Sequence, residues 1–390
     1  MERENRFENL NRLFPLLYFG FLYFYGVKFL NFSVVDWRGM EKFPILRELV
    51  ALLTPIFAPQ FKILGVRLVP LLFSVGSFVL FYQIVKSRFH REREIFYITS
   101  LYLLLPGTIL STLLVNKGVV LLFLTFLVLY CYLNGWKIAT ALLLLLYSGV
   151  DGAMINLFLG FLGYGLYRRS WKLTAIATSS LLLSLYFYPL EIGGVPRSHF
   201  GDLILTYSAI YSPFLFFYFL YTLYRVTISP RKGIIYFITA AAFLLSLFLS
   251  FRQRIKIDDY APFTLPFIVY IVQQFLTSYR VRLRPFRRGY RLLLYFLFGS
   301  MLATDLLLFL NPLKQEVGSS YYFTRKLALT LECTPICTPP ELCKSLEFYR
   351  SQYPTRHCRV KYSKKRGGVV VEEKNRTRFI PLSHLYSPNF

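Results

Sequence analysis

The sequence predicts an all-α polytopic membrane helix bundle of about eleven transmembrane helices, with interfacial helices in the first exported loop and a small α+β domain at the exported C-terminus. Three observations carry that prediction. Of 390 residues, 55% are hydrophobic and 19% aromatic while 17% are charged, with a mean hydropathy of +0.47. Apolar runs that approach the thickness of a bilayer recur as far as residue 311. Residues 315–390 are instead polar and hold four of the five cysteines.

That composition excludes a soluble enzyme, a disordered tail protein and a small disulfide scaffold. A net charge of +25 in a soluble chain would point to nucleic acid. Here the basic residues sit in short loops between apolar runs, so orientation in the bilayer accounts for them and no nucleic-acid partner is expected.

Lipid offers the backbone no hydrogen-bond partner, so a span of about 30 Å needs roughly 20 residues of helix. The predicted spans are 13–31, 64–85, 95–113, 118–133, 138–150, 153–167, 173–190, 203–224, 233–251, 260–278 and 292–311. Several are short, and the pairs meeting at Asn116–Lys117 and Asp151–Gly152 read equally well as single broken helices. The first run follows Arg3, Arg6 and Arg12 and has no small-residue cleavage site after it, which predicts a retained anchor with a cytoplasmic N-terminus. Alternation then gives the cytoplasmic loops about twice as many Lys and Arg as the opposite ones. An odd number of spans exports the tail. Short loops and a compact tail favour a bacterial inner membrane, so the expected division is a transmembrane domain over 1–314 and a disulfide-stapled periplasmic domain over 315–390.

Cys333, Cys337, Cys343 and Cys358 crowd into that tail, and disulfides persist in oxidising compartments. Zinc is the rival reading, but the paired C-x2-C knuckles are missing; connectivity stays open. Cys131 lies in an apolar span and reads as packing. The spacing predicts helices over 321–331 and 340–353 and strands over 359–362, 369–373 and 376–381.

Ionisable groups are costly beside hydrocarbon, which makes those that persist there functional candidates. On the face predicted to be exported they form four clusters. The first loop holds Asp36, Arg38, Glu41 and Lys42, followed by Pro44 to Leu53, a short interfacial helix that keeps Arg47 and Glu48 off its apolar side. Lys117 heads a span, and Asp151 sits between Val150 and Gly152. The fourth cluster is Arg252, Arg254, Lys256, Asp258, Asp259 and Tyr260. Cations spaced by two in an extended segment point the same way, which suits a phosphate, while the two acids either orient them or hold a divalent metal. The bland alternatives are water-facing charges in the first loop and an electrostatic knot in the fourth cluster. Arg67 and Asp305 are expected to pair as bundle glue.

Asp36 after the first span, Leu64-Gly65-Val66-Arg67-Leu68 opening the second, and the segment from Arg254 to Pro266 together resemble the C-type glycosyltransferase superfamily (GT-C fold), in its protein O-mannosyltransferase and aminoarabinose-transferase branch. The likeness covers about residues 10–280 and departs from the family where Trp37, not a second acid, follows Asp36. It implies inverting transfer of a hexosyl or pentosyl group from a polyprenyl-phosphate donor to a lipid, glycan or protein acceptor on the periplasmic face. Under that resemblance Asp36, assisted by Glu41, takes the acceptor proton, and Lys117, Arg252, Arg254 and Lys256 receive the departing phosphate. Arg38, Asp151, Asp258, Asp259 and Tyr260 are further candidates, and a divalent metal is the one cofactor to consider. The rival is a transporter or flippase of a lipid-linked sugar, for which broken helices supply a path; a third reading is a non-enzymatic assembly subunit. The transferase reading expects Asp36 and the 252–256 strip to meet at one outer mouth of the bundle.

Overall fold

The computed structural model describes residues 2–30, 32–57, 62–189, 199–230, 232–281, 287–310, 327–328, 331, 334–338, 340–349, 357–363, 368–373 and 376–381. Up to residue 310 the described chain is helical: α1 Glu2–Phe29, α2 Val34–Lys42, α3 Pro44–Leu53, α4 Lys62–Lys86, α5 Glu92–Leu103, α6 Pro106–Leu113, α7 Lys117–Leu133, α8 Lys137–Tyr147, α9 Ile155–Tyr167, α10 Trp171–Phe187, α11 Phe200–Tyr211, α12 Pro213–Ile228, α13 Ile234–Ser250, α14 Ala261–Thr264, α15 Ile268–Val281 and α16 Arg287–Leu310. The chain then forms β1 Thr334–Thr338, α17 Pro340–Glu347, β2 His357–Ser363, β3 Gly368–Glu373 and β4 Arg376–Pro381.

Two compact units divide these elements. The first is Met1–Tyr18, Phe73–Ser111 and Gly118–Leu308; the second is Phe19–Leu72, Thr112–Lys117 and Phe309–Phe390. Helices α1, α4, α6, α7 and α16 therefore contribute to both.

Among the described residues, Lys62–Lys86 and Arg288–Leu310 are each long and apolar enough to cross a membrane, and the bent pairs α5–α6 and α11–α12 bring the number to four if each pair is one span. Four shorter apolar helices accompany them. These features are compatible with an integral membrane protein. The expected spans differ most where proline interrupts them. Pro106 starts a new helix bent 59° from α5, and Pro213 starts one bent 102° from α11, because proline disfavours helical geometry in the residue before it. Runs 95–113 and 203–224 are thus broken, as are the two breaks expected near Asn116 and Asp151.

In the first unit, α9 packs on α13 with Gly160 at the crossing. A Cβ there would lie 2.5 Å from the Ile238 Cα, so only glycine permits that backbone approach, the small-residue device of helix pairs in lipid. The early part of α1 is held by Asn11, whose amide donates to Glu92 at 3.0 Å. Tyr18 reaches the Leu103 carbonyl. Asp305 of α16 is buried, and its carboxyl oxygens have no hydrogen-bond partner among the described residues. The expected Arg67–Asp305 pair does not form, because the Arg67 guanidinium is taken up by Asp36.

The C-terminal part of the second unit is a four-stranded sheet of order β1-β2-β3-β4, with β1 parallel to β2 and the other pairs antiparallel. Leu327, Leu342, Leu346, Val360 and Val371 form its core. Cys337 and Cys343 are joined by a disulfide and Cys358 is also disulfide-bonded; Cys333 lies outside the described residues. Strands β2, β3 and β4 and helix α17 match the expected elements. Most of 321–331 and the end of 340–353 lie outside the described residues. Strand β1 was not expected, since Pro335 and Cys337 break the alternation that marks a strand, and its partner β2 lies beyond α17, out of reach of local pattern.

Helix α9 ends in a Schellman motif: Ser170 N donates to Gly165 O at 2.9 Å and Arg169 N to Leu166 O at 3.1 Å. The position between them, Arg169, is exposed at φ 52°, a conformation that strains a side chain but not glycine. Arg169→Gly is therefore expected to raise stability by about 0.5–1 kcal/mol in denaturant unfolding of the detergent-solubilised protein. A lowered stability would contradict the motif.

Candidate functional site

The second unit is organised around Asp36. Ser33-Val34-Val35-Asp36 is a capping box, in which Ser33 N donates to Asp36 Oδ2 at 3.1 Å and Asp36 N donates to Ser33 Oγ at 3.3 Å. The box fixes the start of α2 and turns the carboxylate inward. There Arg67 of α4 meets it with two nitrogens, Nη1 to Oδ1 at 3.2 Å and Nη2 to Oδ2 at 3.0 Å. Val115 N donates to Oδ1 at 3.0 Å, and Arg67 Nη1 also donates to Leu113 O at 2.7 Å. The break between α6 and α7 leaves carbonyls and amides without helical partners, and this ion pair satisfies one of each. Helix α2 lies so close to that break that a Cβ on Gly39 would collide with the Val115 carbonyl oxygen.

Asp36 is 0% and Arg67 2% exposed. The two oxygens of Asp36 together receive hydrogens from Arg67, Val115 and Ser33, leaving no face toward an acceptor hydroxyl. The expectation that Asp36 takes a proton does not fit these surroundings. A carboxylate this buried, with this many donors, holds the loop in place.

Glu41 is different. It lies two turns of helix beyond Val34, half exposed, with Lys344 Nζ of α17 at 3.4 Å. The same ammonium sits 5.2 Å from the centre of the Trp37 ring. Tyr349 engages the Phe32 backbone N–H, and the rings of Phe32 and Phe348 are 4.4 Å apart. The α17 region thus caps the loop that carries Asp36 and Glu41. Arg38 is exposed, Lys117 is half-buried at the start of α7, and the side chain of Lys42 lies outside the described residues. Helix α3 begins at Pro44 as expected, buries Leu46 and Val50, and leaves Arg47 and Glu48 in an exposed pair.

The first unit brings the remaining candidates together. Asp151 caps the short turn Gly152–Met154 by accepting from Ala153 N at 2.8 Å. Asn156, one turn on, donates to Ala153 O at 2.9 Å and to Asp259 O at 3.0 Å, which ties the start of α9 to the segment before α14. Tyr260 is buried beside it, and Asp258 and Asp259 are half-buried. Upstream the exposure alternates: Arg252, Arg254 and Lys256 are exposed while Gln253 and Ile255 are half-buried. The extended conformation expected for this segment holds only from Arg254 on, because the amides of Arg252 and Gln253 donate to Leu249 O at 3.0 and 2.9 Å and continue the turn after α13. Asp202 of α11 lies 3.8 Å from Arg254 and 3.6 Å from His199, and His199 N donates to Ser250 O at 3.0 Å. Neither Asp202 nor Asn156 was expected. The signal for Asp202 was an acid at the head of an apolar run; for Asn156 it was an amide inside one.

Among the described residues no group of three His, Cys, Asp or Glu side chains is placed to hold a metal ion. Asp258 and Asp259 alone make an incomplete donor set, and no step is routed through a metal. No family model and no curated protein matches the chain.

Removing one partner of a fully buried ion pair strands the other charge, at a cost of about 3–5 kcal/mol. Asp36→Asn is expected to lose about that much in unfolding experiments, whereas Glu48→Gln, in the exposed pair with Arg47 on α3, stays within about 1 kcal/mol of wild type. Equal losses would show that Asp36 has no special place in the loop.

Proposed function

We propose that the chain is an integral-membrane glycosyltransferase that moves a sugar from a polyprenyl-phosphate donor to a lipid, glycan or protein acceptor at the periplasmic face of a bacterial inner membrane. The observation that carries this reading is the set of exposed cations Arg252, Arg254 and Lys256, which run from the turn after α13 to a segment pinned by Asn156 and the buried Tyr260. A departing lipid phosphate needs positive charge already in place, and a tethered strip supplies it with little reorganisation. The wider count of about eleven spans and the cytoplasmic N-terminus belong to the same proposal and rest on the charge bias of the loops.

In this mechanism Glu41 takes the acceptor proton, as the acid of the first loop that remains half exposed. Asp36, through Arg67, positions α2 and therefore Glu41. The oxygen freed of its proton attacks the anomeric carbon, the bond to the donor phosphate breaks with inversion, and the lipid phosphate departs with the electron pair of that bond. The second reading, a transporter or flippase, is favoured by the broken helices near Asp151 and Ser212. It predicts movement of intact donor across a bilayer.

The test uses protein in proteoliposomes with radiolabelled polyprenyl-phosphate sugar. Wild type is expected to transfer label to an acceptor. Glu41→Gln is expected to slow transfer by about 10²–10⁴, and Arg254→Gln with Lys256→Gln by about 10²–10³. Wild-type movement of intact donor across the bilayer with no transfer would replace this reading with the transporter, and undiminished transfer by Glu41→Gln would remove Glu41 from its role.

A further inference from the structure

In the first unit, α5, α12, α15 and α16 enclose a slot of about 320 Å³. Its walls are apolar, with Leu101, Leu215, Ile271, Phe275, Leu294 and Phe298 among them. Two of the lining residues are cations, Arg93 in the first turns of α5 and Arg291 in the first turns of α16, and Tyr279 near the end of α15 joins them. One end of the slot is therefore cationic. From Arg93 to Leu101 the lining covers about 12 Å of helix, so the slot runs from charge into hydrocarbon. Arg93 donates to the Tyr97 hydroxyl at 2.9 Å and lies over its ring, and neither Arg93 nor Arg291 has an acidic partner among the described residues. Arg88, Arg91, Arg168, Lys232 and Arg280 line two further openings, one of which shares Leu276 with the slot.

We infer that this slot binds an anionic phospholipid, with one acyl chain between α12, α15 and α16 and the phosphate against Arg93 and Arg291. Two guanidinium groups with no acidic partner among the described residues, above an apolar slot, match an anionic amphiphile at both ends. Basic pockets between apolar helices hold such headgroups, and guanidinium binds phosphate oxygens in pairs. The volume is at the small end for a ligand pocket and admits one chain. None of these residues belongs to the candidate transfer site.

The experiment is native mass spectrometry of the full chain purified from mixed vesicles of phosphatidylglycerol and phosphatidylcholine. Wild type is expected to retain one phosphatidylglycerol at least tenfold over phosphatidylcholine. Arg93→Gln with Arg291→Gln is expected to lose that preference, and Leu294→Trp, which fills the slot, to lose the bound lipid while keeping both charges. Lys137→Gln with Lys172→Gln removes the same charge from exposed positions elsewhere and is expected to retain the lipid. Equal retention of the two lipids by wild type, undiminished retention by the arginine variant, or equal loss in the lysine variant would overturn the inference. Displacement of phosphatidylglycerol by equimolar undecaprenyl phosphate would also overturn it, assigning the slot to a carrier lipid.

Discussion

The second unit depends on one buried ion pair. Asp36 and Arg67 connect three pieces of backbone: the capped start of α2, the first turns of α4 and the break between α6 and α7. Burying two charges is costly, and their attraction offsets the cost only with good geometry and further hydrogen bonds around the pair. Here the carboxylate is satisfied by two backbone amides as well as the guanidinium. A helix break in an apolar surrounding would otherwise leave its own polar groups exposed to hydrocarbon, so pair and break stabilise each other. Gly39 belongs to the same constraint, because α2 can approach the break only without a side chain there.

The pair also separates two acids that look alike in sequence. Asp36 and Glu41 share a loop and a helix, yet one is sealed and the other half exposed beneath Lys344. A group that accepts a proton from a substrate must be reachable by it, and only Glu41 meets that condition. In the first unit the same logic distinguishes Asp151, whose carboxylate serves a turn, from the cations of the 252–256 strip, which stay in the open.

Much of this architecture was legible from composition and local signals. The apolar runs gave the helices, Pro44 gave the start of α3, and alternation at 252–256 gave the side chains that point outward. The capping box Ser33-x-x-Asp36 is a local signal that explains α2, but an acid just after a first span has the same pattern whether it serves as a cap or as a reactive group. The bends at Pro106 and Pro213 carried a local signal that hydropathy averaging hides. Other features had none: Arg67 choosing Asp36 over Asp305 depends on which helices adjoin, β1 depends on a partner beyond α17, and the slot beneath Arg93 and Arg291 depends on four helices distant in sequence.

The most direct test removes both charges while keeping amide groups for the Val115 N–H and the Leu113 carbonyl, Asp36→Asn with Arg67→Gln. Sugar transfer from the polyprenyl-phosphate donor is then measured on the folded protein. If Asp36 only holds the loop, the double variant transfers sugar within about tenfold of the wild-type rate; a folded variant that transfers none, a deficit beyond the roughly 10²–10⁴ expected for loss of a proton acceptor, would return Asp36 to the chemistry and contradict its role as an anchor.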